Sequence, residues 1–296
     1  MKSFREQHGG PIRLIVKQAH EGIAALYTND VDQMIVSGPG FQEFCYKLER
    51  YQRFDMDQPI IVHPGLFGDG RLNLLTGLFA YKGRGGISTI DLYRHILHLN
   101  WDLPLHVPAI PEDWTRDGYA YAASLGMVQG KSVVLVPDNN TNPSLPDEFW
   151  HKLVAALTRN GMHVFTNTVG GASTPNPRTA FPGTLPITIP LQFAVPITEY
   201  AGWIISGSNG LLATIYGLRA NARIATLIYK RSGENRVVAN GLDWSFPEGY
   251  QSLRHGFAEF PVPDNLRDYV VDVDSYTDRL VEQIACHSQE GAYQGI

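Results

Sequence analysis

The stretch that decides the fold runs from Gly130 to Gly161, GKSVVLVPDNNTNPSLPDEFWHKLVAALTRNG. Ser132–Val136 (SVVLV) is apolar without alternation, the pattern of a strand buried on both faces. Asp147–Asn160 then places Phe149, Leu153, Ala156 and Leu157 on one helical face, and Gly161 stands where a helix-ending glycine is expected. A buried strand, a polar loop and an amphipathic helix, in that order, predict a βα unit.

The same grammar continues on both sides. Downstream, His163–Thr166 and Ala201–Ile205 read as strands, the latter feeding SGSNG at 206–210 and a helical pattern over Leu211–Leu218. Ile224–Tyr229 is a further strand, and Tyr276–His287 a terminal helix with Leu280, Val281 and Ile284 on one face. Upstream, a helix is predicted over Arg116–Leu125. Before it, 101–113 carries Pro104, Pro108 and Pro111 and forms the natural boundary between domains 1–115 and 116–296. The first domain repeats the alternation. Ile12–Val16 is a strand, His20–Tyr27 a short helix and Gln33–Val36 a strand closed by the turn SGPG. Phe41–Phe54 is a helix, Pro59–Val62 a strand, and Leu72–Tyr81 and Ile87–Leu99 are helices. The expected fold class is α/β, two Rossmann-like domains with a cleft between them. Ligands of such sheets sit at the carboxyl ends of strands, so the candidate loops are 63–71, 137–145, 166–187 and 206–210.

Composition narrows the function. The chain has 296 residues, 44% hydrophobic and 18% charged, enough apolar material for two cores. A formal net charge of −5 argues against a nucleic-acid partner, which normally demands a basic surplus. Cys45 and Cys286 are far apart, without metal-type spacing, and are expected as free thiols of a reducing compartment. MKSFREQHGG has no apolar leader core, and no segment approaches the roughly 20 apolar residues of a membrane span. A cytoplasmic protein is expected, with at most peripheral membrane association.

Four loops carry the residues suited to chemistry. Ser206-Gly-Ser-Asn-Gly210 lies between a strand and a helix, so its amides can face an anion with the helix dipole behind them. Ser206, Ser208, Asn209 and Gly210 are the candidates there; the alternative is a tight turn with Ser208 or Asn209 as helix cap. Asn139, Asn140 and Thr141 are dense in side-chain donors suited to phosphate or sugar hydroxyls, or else form Asx-turns of a surface loop. Asn167, Thr168 and Thr184 are placed to frame a nucleoside, unless 166–187 is simply a long connection. In His63-Pro-Gly-Leu-Phe-Gly-Asp-Gly-Arg71, Asp69 or His63 is the candidate base and Arg71 the candidate anion contact. Alternatively, Asp69 caps the next helix.

Absent motifs matter too. No GK[ST] follows the glycine loop, and no GxGxxG follows the first strand. No HExxH, paired CxxC or candidate-loop acidic DxD run is found, so no metal and no cofactor is expected. Asp272 and Asp274 form an Asp-Val-Asp triplet, but Asp274 or Ser275 is expected to cap the terminal helix.

The order of these elements is itself distinctive. GKSVVLVPDNNTNPSLPDEFWHKLVAALTRNGMHVFTNTVGG followed by TLPITIPLQFAVPITEYAGWIISGSNGLLATIYGLRANARIATLIY resembles the donor-binding half of bacterial GT-B glycosyltransferases. The nearest pattern is that of heptosyltransferase-like and surface-polysaccharide enzymes, in recognisable order over about 126–230. PIRLIVKQAHEGIAALYTNDVDQMIVSG looks like the second strand, helix and third strand of their N-terminal domain. The resemblance implies a nucleotide-sugar donor as substrate and a glycan, lipopolysaccharide, other lipid-linked or protein acceptor. It also implies metal-independent, inverting transfer, and an N-terminal domain lacking its first strand, with Phe4–Gly10 the end of the first helix. One departure stands out. Where relatives resemble R-S-G-L-x-D, this chain has Ser208-Asn209-Gly210-Leu211-Leu212-Ala213, without the arginine and the acid. Arg71, Lys230 or Arg231 would have to compensate. Two other readings stay open: a catalytically degenerate GT-B module that binds or scaffolds, and another two-domain Rossmann enzyme such as an epimerase or dehydrogenase.

Overall fold

The computed structural model describes residues 2–38, 94, 99–100, 102–103, 106–138, 145–169, 178–207, 209–218, 220–228, 257–261 and 273–289. The predicted helices 41–54 and 72–81 and the strand 59–62 lie outside those residues; of the predicted helix 87–99 only helical Arg94 and non-helical Leu99 are described. The chain divides into two compact units, Met1–Pro108 with Leu242–Gln251 and Ala109–Gly241 with Ser252–Ile296.

In the first unit, α1 (Lys2–His8) precedes β1 (Arg13–Lys17) and β2 (Gln33–Ser37). The two strands pair in parallel with Ile15 opposite Ile35. The helix expected over 20–27 is broken into 3-10 turns on either side of one α-turn, α2 (Glu21–Ala24). Gly22 weakens the helix, and Thr28-Asn29-Asp30 favours turns at its end. Asp32 locks the start of the unit: it accepts the Ile12 amide at 2.6 Å and the Arg5 guanidinium at 2.8 Å.

The second unit begins with α3 (Glu112–Ser124), four residues earlier than Arg116 because Pro111 opens the helix and Glu112 and Asp113 suit its first turn. There follow β3 (Ser132–Val136), α4 (Asp147–Arg159), β4 (His163–Asn167) and β5 (Leu185–Ile187). Then come α5 (Ala194–Ala201), β6 (Gly202–Gly207), α6 (Gly210–Gly217), β7 (Arg223–Ile228), β8 (Phe257–Pro261) and α7 (Val273–Gln289). The six strands form one sheet, ordered β5-β4-β3-β6-β7-β8. Every pairing is parallel. This is the doubly wound order, in which the chain moves outward from β3 in one direction and then from β6 in the other.

One face of the sheet is covered by α4 and α7. Val133, Leu135, Val164, Ile205 and Leu227 pack there with Phe149, Trp150, Leu153 and Leu157 of α4 and Tyr276, Leu280 and Val281 of α7. The alternate residues Val134, Ile204 and Ile224 point to the opposite face. The helix α5 packs on β3 and β6 and against α3. Gly161 follows α4 with φ +77°, as its sequence position anticipates. Gly202 ends α5 with φ +93°, and a Cβ there would stand 2.9 Å from the Gly130 Cα, so both conformation and space demand glycine.

The terminal helix corrects one expectation. It starts at Val273, so Asp274 lies inside its first turn rather than capping it. There its charge suits the helix dipole, and it pairs with Lys152 of α4 at 3.1 Å. Among the described residues no helix is long and apolar enough to cross a membrane.

Candidate functional site

In a doubly wound sheet the crevice opens where the winding reverses. Here that point lies between β3 and β6, paired from Ser132↔Gly202 to Val136↔Ser206. The chain leaves β3 through Pro137-Asp138 and leaves β6 through the turn at 206–210, so two of the four candidate loops meet at the switch point.

The turn is built around Asn209. Its side-chain oxygen accepts the Leu212 amide at 2.9 Å, and its backbone oxygen accepts the Ala213 amide at 2.9 Å. Asn209 is therefore the N-cap of α6, the reading the sequence held as the alternative. Its side-chain nitrogen donates to the Ser206 hydroxyl at 2.8 Å and to the Asp138 carbonyl at 3.4 Å. Ser206 is fully buried, and its hydroxyl lies within donating distance of the Gly207 carbonyl (2.8 Å) and the Val136 carbonyl (3.3 Å). Ser206 thus orders the turn from beneath.

Capping does not close the turn to a ligand. Of the first-turn amides that a helix leaves without internal partners, Leu212 has the Asn209 oxygen, while those of Gly210 and Leu211 are the ones a ligand oxygen can take. Gly210 is exposed, and a Cβ built on it would meet nothing within 4 Å. The dipole at a helix N-terminus favours an anion in front of these amides.

The neighbouring strand ends carry the other candidates. Thr168 joins β4 to β5, its amide donating to the Ile187 carbonyl at 2.9 Å and its hydroxyl to the same oxygen at 3.3 Å. Thr184 shares a 2.7 Å hydroxyl contact with Thr166 and donates to the Phe181 carbonyl at 2.8 Å, closing the turn before β5. Asn167 is 6% exposed; its nitrogen donates to the Val169 carbonyl at 3.3 Å. Its side-chain oxygen is buried and has no hydrogen-bond partner among the described residues. That acceptor lies beneath the surface at the carboxyl end of β4.

The structure brings Asn167, Thr168, Ser206, Asn209 and Gly210 to the carboxyl edge of one sheet, whereas Thr184 stands at the amino end of β5. His63, Asp69, Arg71, Asn139, Asn140, Thr141 and Ser208 lie outside the described residues, as do Lys230 and Arg231. Sequence reasoning missed Arg178. Its Nε donates to both Asp138 carboxylate oxygens at 3.1 Å, and one terminal nitrogen reaches Asp147 at 3.0 Å. Only its place inside the 166–187 loop marked it, since no motif surrounds it.

At the opposite, amino-terminal edge, Glu199 of α5 accepts the Asn221 amide at 2.7 Å. Burial pushes its carboxyl above the usual range, against the opposing hydrogen bonds from Asn221 and the Tyr119 hydroxyl. Burial, followed by the charge of Glu199, likewise raises the Tyr119 hydroxyl. This pair braces α3 against α5, far along the strands from the switch point.

No protein-family model and no curated protein matches the chain. Two solved structures are similar to it over nearly its whole length. One is a family 9 glycosyl transferase from Veillonella parvula DSM 2008, 11% identical, with a TM-score of 0.57, covering 98% of this chain and 93% of that one. The other is the E. coli ADP-heptose lps heptosyltransferase II, 13% identical, with a TM-score of 0.59 and the same coverage of 98% and 93%. The chain shares their mixed α/β fold with parallel sheets, as the resemblance to GT-B glycosyltransferases led one to expect.

Proposed function

We propose that the chain is a glycosyltransferase that takes its sugar from a nucleotide-activated donor and passes it to a glycan, lipopolysaccharide or protein acceptor. The observation that carries this reading is the Asn209-capped turn at the switch point, which leaves the Gly210 and Leu211 amides without a place in the helix's own hydrogen bonding. The shared fold of two glycosyltransferases supports it, one of them described as acting with ADP-heptose. The donor diphosphate would accept hydrogen bonds from those amides, with the α6 dipole offsetting part of its charge. Asn139, Asn140 and Thr141 would contribute from the neighbouring loop. The nucleoside would lie over the carboxyl ends of β4 and β5, beside Asn167 and Thr168.

Transfer is direct displacement with inversion. The acceptor oxygen attacks the anomeric carbon as the bond to the diphosphate oxygen breaks, and a base from the 63–71 loop removes the acceptor proton. Asp69 or His63 is assigned that role, and Arg71 the contact to the departing anion. The reaction is read as metal-independent, since the sequence of the candidate loops holds no acidic DxD run to present to a divalent ion.

Isothermal titration of the full chain with ADP, GDP, UDP and CMP tests the donor assignment. Saturable binding of one of them, lost on Gly210→Pro, is expected; no binding of any would sink the assignment. Gly210→Pro removes one of the two amides while proline remains compatible with a first helical position.

A further inference from the structure

The carboxyl edge of the second unit holds one continuous hydrogen-bond network that joins Arg178, which the donor-site argument does not use, to the Asn209 cap, which it does. The Arg178 backbone amide donates to the Thr168 carbonyl at 3.0 Å, fixing the return of the chain beside β4. Its side chain then crosses to Asp138 after β3, where Nε stands 3.1 Å from both carboxylate oxygens. The Asp138 backbone carbonyl accepts the Asn209 side-chain nitrogen at 3.4 Å, and the Asn209 oxygen accepts the Leu212 amide at 2.9 Å. Arg178, Asp138 and Asn209 thus link three separate strand-end loops.

The arginine is placed to hold rather than to bind. Its charge faces two carboxylates, Asp138 and Asp147, and its guanidinium stands 4.9 Å from the Phe181 ring centroid. The Arg178 and Asp138 side chains are only 20% and 14% exposed, which makes their charge-assisted bonds less screened than those of a surface pair. The Asp147 arm is 65% exposed and contributes less. A cation already matched by two acids is a poor diphosphate clamp. A planar fork fixed on three sides is a good spacer.

We infer that Arg178 is a positioning residue: through Asp138 it sets where Asn209 sits, and so how the Gly210 and Leu211 amides face a donor diphosphate. The last clause rests on the donor reading; the hold on the turn does not. Arg178→Lys keeps the charge and loses the fork, and Asp138→Asn weakens the pair from the other side.

In the full chain, with thermal unfolding confirming a folded variant, amide hydrogen exchange across 206–213 is expected to rise about tenfold in either variant, the size of a coupling within one network. Exchange in β7 should stay unchanged. In an Asn209→Ala background, Arg178→Lys should add nothing further at 206–213, because the link it acts through is gone. The affinity for whichever of ADP, GDP or UDP the wild type binds should fall by about tenfold as well. Unchanged exchange at 206–213, an equal rise in β7, or an additive effect in the Asn209→Ala background would each overturn the inference. Should the wild type bind no diphosphate, the donor reading falls, while the exchange pattern still decides whether Arg178 holds the turn.

Discussion

The Asn209 side-chain nitrogen donates to the buried Ser206 hydroxyl at 2.8 Å, so the cap of α6 is held by a polar group near the end of β6. One asparagine therefore serves helix stability and anion access together. Asn209→Ala is predicted to cost about 1 kcal/mol in stability, the usual worth of an N-cap. It should also weaken nucleotide binding. Asn209→Asp keeps an oxygen for the Leu212 amide and suits the dipole, so its stability loss should be smaller. Its binding loss should be larger, because a carboxylate then faces the donor phosphates. Chemical denaturation and titration, run on both variants, separate the two roles.

Gly202 is predicted to tolerate no side chain. Its φ of +93° and the 2.9 Å approach of the Gly130 Cα oppose a Cβ for two separate reasons. Gly202→Ala should lose about 2–4 kcal/mol, combining left-handed strain with overpacking. The denaturation midpoint measures it; a loss within experimental error would show that the α5–β6 junction can shift.

The core beneath the site depends on Phe149, fully buried, with its ring 5.1 Å from that of Trp150 and 5.9 Å from that of Tyr276. Phe149→Ala should cost about 3–5 kcal/mol by leaving a cavity where α4 meets α7. Equilibrium unfolding in urea checks this. A loss comparable to a surface substitution would mean that α7 does not close the face.

Glu199 gives the fold a pH dependence of definite sign. Its carboxyl is raised in the folded state by burial, so between its unfolded and folded values the native chain binds more protons than the unfolded one. Its contribution then falls as pH rises through that window. Glu199→Gln keeps an acceptor for the Asn221 amide and removes the titration. From mildly acidic to neutral pH, thermal unfolding should show the wild type losing stability relative to Glu199→Gln. A constant difference between the two would contradict the assignment.

What the sequence disclosed follows from how strongly each element is patterned. β3 and α4 were legible because SVVLV is continuously apolar and the 147–160 segment keeps one apolar face up to Gly161. The strand–turn–helix at β6 and α6 was legible within one or two residues at each end. β5 went unread: it is three residues long and contains Pro186, which demotes a strand. α5 was hidden by Pro196, which sits at its third position, where a helix tolerates proline. β8, Phe257–Pro261, ends on a proline and lies outside the even alternation of strand and helix.

The site was legible as loops and not as contacts. Alternation located the carboxyl edge, so Asn167, Thr168, Ser206, Asn209 and Gly210 arrive there together. Which side chains face inward was not legible. Ser206 and Thr184 bond to carbonyls and hydroxyls of the framework. Arg178 meets partners 40 and 31 positions away, beyond the reach of any local pattern.

The central claim is that the Gly210 and Leu211 amides receive a donor phosphate, and amide NMR shifts read those two groups directly. Titrating the isotopically labelled full chain with ADP, GDP and UDP should move both resonances saturably for at least one nucleotide, with Leu212, already bonded to Asn209, moving less. Gly210 and Leu211 resonances that stay fixed throughout would contradict the account, whether or not other parts of the chain respond.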